Sequence, residues 1–290
     1  MRAAYEAFLL SLDGCKSPAT LIWYRGRLSS LVDFLGVTMF VGAVTIQELR
    51  QWRASLAGRY SAHTLHGYVR AARRLFRWLE DEGEIVYSPA RRLELPRLPK
   101  GQVKGIEHDD LRKMLDAASE MGARELALCW FFYSTGARRG GVVGLRLSDL
   151  HLDCGRAYVH EKNNKTRMVP LIPEAVAAMW AWLSVRPASS DDHVFMGKRG
   201  PLSGIGVYKV LERVAIRAGV DGQWNPHSFR HCRARDWLAA GVPLSVVSQG
   251  LGHSGLAVTA DIYGVLPDEQ VNKQLLQPPL PFALEGHPGD

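Results

Sequence analysis

Apolar side chains recur every three or four residues along most of this chain, a spacing that predicts helices rather than strands. In the N-terminal third the periodic stretches cover 21–35, 45–57 and 61–82. The second of them opens with Thr45 followed three residues later by Glu48, the pattern of a capping box. The same spacing predicts further helices over 107–121, 124–134, 173–185, 204–218, 227–240 and 243–251.

Two segments depart from this helical pattern. Two short stretches, 157–160 and 167–171, flank the polar tip Lys162-Asn163-Asn164-Lys165, which predicts a β-hairpin. Residues 88–105 combine prolines and glycines with basic side chains, which is typical of a linker. We therefore predict a mainly α fold with a helical domain over 1–95, a basic linker over 96–105, and a mostly helical domain over 106–290 that contains a small antiparallel sheet.

The charge of the chain indicates a polyanionic partner. The formal net charge is +7, and residues 1–100 hold 15 Lys and Arg against 9 Asp and Glu. In the predicted helix 61–82, one face is apolar and the opposite face carries four arginines, called the arginine face below: Arg70, Arg73, Arg74 and Arg77. Guanidinium groups suit phosphate geometry, which favours DNA contact, but a solvated surface stripe predicts the same pattern.

Composition narrows the cellular setting. No apolar run reaches the roughly 18 residues of a membrane span, and the N-terminus is a poor signal peptide. The four cysteines are scattered, with no Cys-x-x-Cys pair, which argues against a disulfide framework or a zinc site. We expect a cytoplasmic protein with no membrane partner.

Four short segments, followed by a tyrosine, carry residue types suited to work on a phosphate. In chain order they are Thr135-Gly136-Ala137-Arg138, Lys162, His227-Ser228-Phe229-Arg230, Leu251-Gly252-His253, and then Tyr263. Taken singly each is a weak signal, because a His-x-x-Arg pair or an isolated tyrosine is common in proteins. His227 and Arg230, three residues apart on one predicted helix, share a face and can point at one ligand.

Together and in this order, the segments resemble the tyrosine recombinase, or phage integrase, family. The family's boxes read Thr-Gly-Leu-Arg, Gly-Lys-Gly-Asn-Lys, Pro-His-x-Leu-Arg-His and Leu-Gly-His-Ser, with the nucleophile in an Ile-Tyr pair. The matching stretches here are Thr135-Gly136-Ala137-Arg138, Glu161-Lys162-Asn163-Asn164-Lys165, Pro226-His227-Ser228-Phe229-Arg230-His231, Leu251-Gly252-His253-Ser254 and Ile262-Tyr263. The N-terminal helices are similar to the family's core-binding domain, and 106–290 to its catalytic domain.

The resemblance implies a chemistry for these residues. Arg138 and Arg230 would hold the non-bridging phosphate oxygens, and His253 would donate another hydrogen bond there. Tyr263 would attack the phosphorus and become a 3′-phosphotyrosyl ester. The resulting ester conserves the bond energy, so neither ATP nor a metal is needed and no cofactor is expected.

Two proton transfers complete the implied reaction. The phenol of Tyr263 has an ordinary pKa near 10 and needs a base, for which His227 is the candidate. The leaving 5′-oxygen needs a proton, which Lys162 on the hairpin tip would supply. Lys165 competes with Lys162 for this role, and Arg139 competes with Arg138 for the phosphate; position within the boxes favours Lys162 and Arg138.

The chain departs from the family pattern in three places. Gly140 and Gly141 stand where many relatives carry Ser-Glu, which implies either a looser site or an acidic group supplied from elsewhere. Glu161 and Asn163 replace the glycines on both sides of the hairpin lysine. The interval from His253 to Tyr263 is ten residues, where the family has nine.

The resemblance also implies partners. They are double-stranded DNA and three further copies of the chain, in a ring of four on paired DNA sites. A predicted helix after Pro267, with an apolar stripe at Val271, Leu275 and Leu276, would dock on a neighbouring subunit or fold on its own domain. Two other functions stay open at this point: a DNA-binding relative that has lost catalysis, and a type IB topoisomerase.

Overall fold

The structure, a computed structural model, describes residues 1–98, 105–161 and 165–252. The chain divides into two units, Met1–Gly101 and Gln102–Asp290. Residues 99–104 of the predicted linker lie outside the described residues, as do Lys162, His253, Tyr263 and the helix predicted after Pro267. The domain boundaries at 95 and 105 therefore stay a prediction.

Four α-helices build the described part of the N-terminal unit: α1 Arg2–Leu12, α2 Pro18–Leu35, α3 Ile46–Leu56 and α4 Ala62–Asp81. Side-chain caps set three of the four starts, because Ser17, Thr45 and Ser61 each accept a hydrogen bond from a first-turn amide. The capping box predicted at Thr45 is complete, since the Thr45 amide also donates to Glu48 Oε2 at 2.8 Å. Helix α1 lies in a stretch for which no separate helix was predicted.

The N-terminal core is built on one side of α4. Leu75, Phe76 and Leu79 on this helix are fully buried, and they join Phe8 of α1 and Trp52 of α3 in one apolar cluster. The arginine face lies opposite, and all four of its side chains are exposed. The predicted amphipathic pattern of this helix is therefore confirmed.

Seven α-helices belong to the described part of the C-terminal unit: α5 His108–Met121, α6 Ala123–Thr135, α7 Arg139–Val143, α8 Pro173–Val185, α9 Gly204–Ala218, α10 Pro226–Ala239 and α11 Leu244–Leu251. Its strands are β1 Leu150–His151, β2 Arg156–Glu161, β3 Lys165–Pro170, β4 Met196–Gly197 and β5 Gly200–Pro201. The fold class is confirmed as mainly helical with a small antiparallel sheet.

The sheet runs in the order β1-β2-β3 with antiparallel neighbours, and β2 and β3 form the predicted hairpin. In this register Val159 lies opposite Arg167, and Glu161 lies opposite Lys165. Side chains alternate between the two faces of a strand, so the buried Val159 shares its face with Glu161 and with Arg167. Strands β4 and β5 pair separately and were not predicted.

A small apolar cluster fixes the last described helix. Ala234 and Leu238 of α10 pack with Val247 and Leu251 of α11, apart from the main core of the unit. This contact holds the C-terminal end of α11 against α10. Across the described ranges, every helix is too short or too polar to cross a bilayer.

Candidate active site

The Thr-Gly-Ala-Arg segment is a helix end followed at once by a helix start. Gly136 ends α6 in the left-handed conformation with φ +57°, and its amide donates to Phe132 O. The hydroxyl of Thr135 donates to Phe131 O at 2.6 Å and accepts from the Ala137 amide at 3.1 Å. Ala137 is buried, so the turn is anchored on both sides, and Arg138 follows as the residue that precedes α7. The segment therefore gives Arg138 a fixed backbone.

Helix α10 carries the second pair of candidate residues. Asn225 caps it by accepting from the amides of His227 and Ser228. One turn later Arg230 is almost completely buried, with 3% of its surface exposed. Its guanidinium donates to Gly136 O at 2.8 Å and to Leu251 O at 2.6 Å. Arg230 thus links the end of α6 to the end of α11.

Three arginines meet three consecutive carbonyls where α11 ends. Arg167 donates to Gly250 O, Arg230 to Leu251 O, and Arg138 to Gly252 O at 3.0 Å. The last carbonyls of a helix lack intrahelical partners and carry partial negative charge, so cations are stabilising there. The bonds hold the chain in place up to the residue that precedes His253.

Glu161 lies between two of these arginines. One carboxylate oxygen accepts from Arg138 Nη1, and the other accepts from Arg167 Nη2 at 3.2 Å. The Glu161 side chain is 10% exposed, whereas 37% of the Arg138 side chain faces solvent. Gly252 has φ +68°, and a Cβ there would lie 2.9 Å from Glu161 Oε2 and 3.0 Å from Arg167 Nε. The positive φ and this close approach both favour glycine at this position.

The two histidines of α10 are held neutral by their surroundings. Burial lowers the pKa of His227, and the positive charges of Arg230 and Arg138 lower it further. Burial also lowers the pKa of His231 to about 4, assisted by the neighbouring His227 and Arg230. The ring centroids of the two histidines are 6.5 Å apart. A neutral His227 near pH 7 has a nitrogen lone pair that can accept a proton.

The structure brings together three of the six candidate catalytic residues, Arg138, His227 and Arg230. The other three, Lys162, His253 and Tyr263, lie outside the described residues. Arg139, the competitor of Arg138, is exposed, and its side chain lies against Gly204 at the start of α9. The side chain of Lys165 is not among those described.

Sequence reasoning missed two residues of this cluster, Glu161 and Arg167. Glu161 was noted only as a departure from the hairpin box, and Arg167 only as the start of a strand. A signal existed for Arg167, because it alternates with Val169 and Leu171 on the face that strand periodicity turns toward the core. A charged residue in such a row requires a buried partner.

Comparisons with known proteins identify the family and the fold. The model of the phage integrase family matches residues 104–269. Tyrosine recombinase XerC of Xanthomonas axonopodis pv. citri (strain 306) is 34% identical over 266 residues, covering 86% of this chain and 87% of the relative.

Solved structures share the fold at lower identity. XerH site-specific recombinase, bound to a palindromic difH substrate after cleavage, aligns with a TM-score of 0.75 and 19% identity over 89% of this chain and 80% of that one. A lambda integrase tetramer bound to a Holliday junction aligns with a TM-score of 0.72 and 17% identity over 87% of this chain and 77% of that one. The chain thus belongs to the phage integrase family, in which its matched relatives are tyrosine recombinases.

Proposed function

We propose that this protein is a site-specific DNA recombinase that cleaves and rejoins DNA through a 3′-phosphotyrosyl bond to Tyr263. The observation that carries the proposal is the convergence of Arg138 and Arg230 on the carbonyls of Leu251 and Gly252, immediately before His253. Two permanent cations held on a rigid frame supply what a phosphoryl transition state needs. No observation on the described residues favours a non-catalytic relative or a topoisomerase.

The two guanidinium groups have different proposed roles: the direct phosphate contact that the family resemblance implied for both is kept here for Arg138 alone. Arg138, with more than a third of its side chain exposed, reaches a non-bridging oxygen directly. Its two described bonds leave N–H donors available, since a guanidinium carries five. Arg230 is buried, so it adds positive charge from behind and fixes the frame, while His253 donates the remaining hydrogen bond.

The reaction proceeds in two balanced steps. The Tyr263 oxygen bonds to phosphorus while the bond from phosphorus to the 5′-oxygen breaks, which leaves a 3′-phosphotyrosyl ester and a free 5′-hydroxyl. His227 takes the phenol proton, and Lys162 protonates the leaving 5′-oxygen. A 5′-hydroxyl of a second strand then attacks the ester, the proton transfers reverse, and the tyrosine is released.

The partners follow from the same reaction. Double-stranded DNA is the substrate, residues 1–95 bind it through the arginine face, 96–105 connect the domains, and 106–290 carry catalysis. Four copies assemble on paired sites, a proposal supported by the related lambda integrase, which forms a tetramer on a Holliday junction. The cytoplasm is the proposed location, because all four cysteines, which lie in the described ranges, are free thiols.

Covalent capture tests the function without a known target site. Genomic DNA of the source organism is fragmented, nicked lightly with DNase I and incubated with the protein, and the reaction is stopped in detergent. Where a nick lies close to the cleavage position, the short released strand diffuses away and the adduct accumulates. Sequencing the captured DNA is expected to return one recurrent site.

The matched control is Tyr263→Phe, which removes only the attacking oxygen. It should bind DNA as the unaltered protein does and capture none. The proposed function would be refuted if the unaltered protein captured no DNA, or if Tyr263→Phe captured as much DNA as the unaltered protein.

A further inference from the structure

One carboxylate lies inside a cluster that is otherwise cationic. Glu161 contacts Arg138 through one oxygen and Arg167 through the other, and its side chain is 10% exposed. Burying a charged carboxylate destabilises the folded protein unless nearby groups compensate the charge. Here two cations compensate it, so the three groups together keep a net charge of +1.

The backbone makes this contact a rigid one. Glu161 ends strand β2, two residues after the buried Val159, and Arg167 comes from the paired strand on the same face. Arg167 is in turn bound to Gly250 O, and Arg138 to Gly252 O. Glu161 therefore joins the sheet to Arg138, whose side chain is partly exposed to solvent.

Glu161 also lies next to the place where an acid is missing. Gly141 lies three residues after Arg138, at the position for which the family resemblance implies an acidic side chain. A Cβ at Gly141 would lie 3.3 Å from Val159 Cβ and 3.6 Å from His160 O, so α7 packs directly on the last residues of β2. Glu161, at the end of the same strand, is a carboxylate that contacts Arg138.

We infer that Glu161 is a positioning residue that orients the Arg138 guanidinium toward the scissile phosphate and replaces the acid absent at Gly141. The inference rests on the proposed function and adds a residue to it. Glu161 acts through Arg138 and does not touch the DNA. Glu161 should stabilise the transition state more than the bound substrate. A slightly misoriented Arg138 guanidinium can still bind a phosphate, but it stabilises the charge that develops in the transition state poorly.

The test separates cleavage from binding. The substrate is a nicked suicide duplex that carries the site recovered by covalent capture, and the rate of adduct formation is measured in single turnover over a range of protein concentrations. Glu161→Gln keeps the shape and removes the charge. We expect its rate at saturation to fall about 10- to 100-fold while the half-saturating concentration changes less than about 2-fold. Glu161→Asp, charged but shorter, should lie between Glu161→Gln and the unaltered protein.

The matched control is Glu125→Gln. Glu125 is equally buried and paired, but its partner is Arg124 and it makes no described contact with the three arginines at the end of α11. It should leave the saturating rate unchanged. A loss of the same size in Glu125→Gln would mean that removing any buried carboxylate slows cleavage, and would overturn the positioning role.

Two further results would overturn the inference. In one, Glu161→Gln cleaves as fast as Glu161→Asp or the unaltered protein. In the other it cleaves faster, which would mean that the carboxylate competes with the phosphate for Arg138. Both results require active unaltered protein, so they differ from failure of the proposed function, in which the unaltered protein itself forms no adduct.

Discussion

Replacing Arg230 by lysine tests whether this residue joins two helix ends. The guanidinium reaches Gly136 O at 2.8 Å and Leu251 O at 2.6 Å, one carbonyl for each arm of the fork. Lysine keeps the positive charge and hence the penalty for burying it, but its single ammonium on a shorter stem cannot span both acceptors. One charge-assisted hydrogen bond is lost, which contributes about 1.5–3 kcal/mol.

Urea unfolding of the full chain measures this loss. With a urea dependence of about 2 kcal/mol per molar, the unfolding midpoint of the C-terminal unit should fall by about 1 M. Amide exchange followed by mass spectrometry on peptides from α10 and α11 reports the same opening locally.

The matched variant for this measurement is Arg138→Lys. Its side chain is more than a third exposed, so solvent screening keeps the expected loss below about 1 kcal/mol. An unchanged midpoint in Arg230→Lys, or equal losses in the two variants, would refute the view that Arg230 ties α6 to α11.

Three further predictions concern glycine, pH and salt. Gly252→Ala should destabilise the protein by about 1–3 kcal/mol in thermal unfolding and slow adduct formation, because φ at Gly252 is +68° and the new Cβ would lie 2.9 Å from Glu161 Oε2. The control variant Gly140→Ala has open space around its new Cβ, so it should be neutral or stabilising. The pKa of His231 is 6.5 in the unfolded state and about 4 in the folded state, so the unfolded state binds more protons between these two pH values. The free energy of unfolding should therefore drop by about 1 kcal/mol as the pH falls from 6.5 to 4. Urea midpoints measured across this range should show the drop, and His231→Gln should reduce it. Replacing the arginine face by glutamine should reduce the slope of DNA affinity against salt concentration in fluorescence anisotropy, and an unchanged slope would show that this face does not bind DNA.

Periodicity and capping residues predicted most of the secondary structure, since both act locally. The Thr45 capping box, the pairing of β2 with β3 and the amphipathic helix α4 follow from residues that lie close together in the sequence. The two-residue strands β4 and β5 did not, because elements of that length have no periodicity to detect. Helix α7 forms despite Gly140 and Gly141, since the anchored turn before it and contact with Val159 fix its place.

The sequence motifs point to part of the arginine and histidine cluster, but they do not predict the hydrogen bonds that hold it. The boxes identified Arg138, His227 and Arg230, and the structure places them near one another. The acceptors of the arginines are backbone carbonyls of Gly250, Leu251 and Gly252, which no side-chain pattern encodes. These carbonyls accept from the arginines because α11 packs on α10, which directs the C-terminal end of α11 toward them.

Mapping the covalent bond tests most directly whether Tyr263 is the nucleophile. The adduct on the suicide duplex is digested with nuclease and protease, and the modified peptide is sequenced by mass spectrometry. We expect a nucleotide joined through its 3′-phosphate to Tyr263. A nucleotide found on any other residue, or joined through its 5′-phosphate, would contradict it.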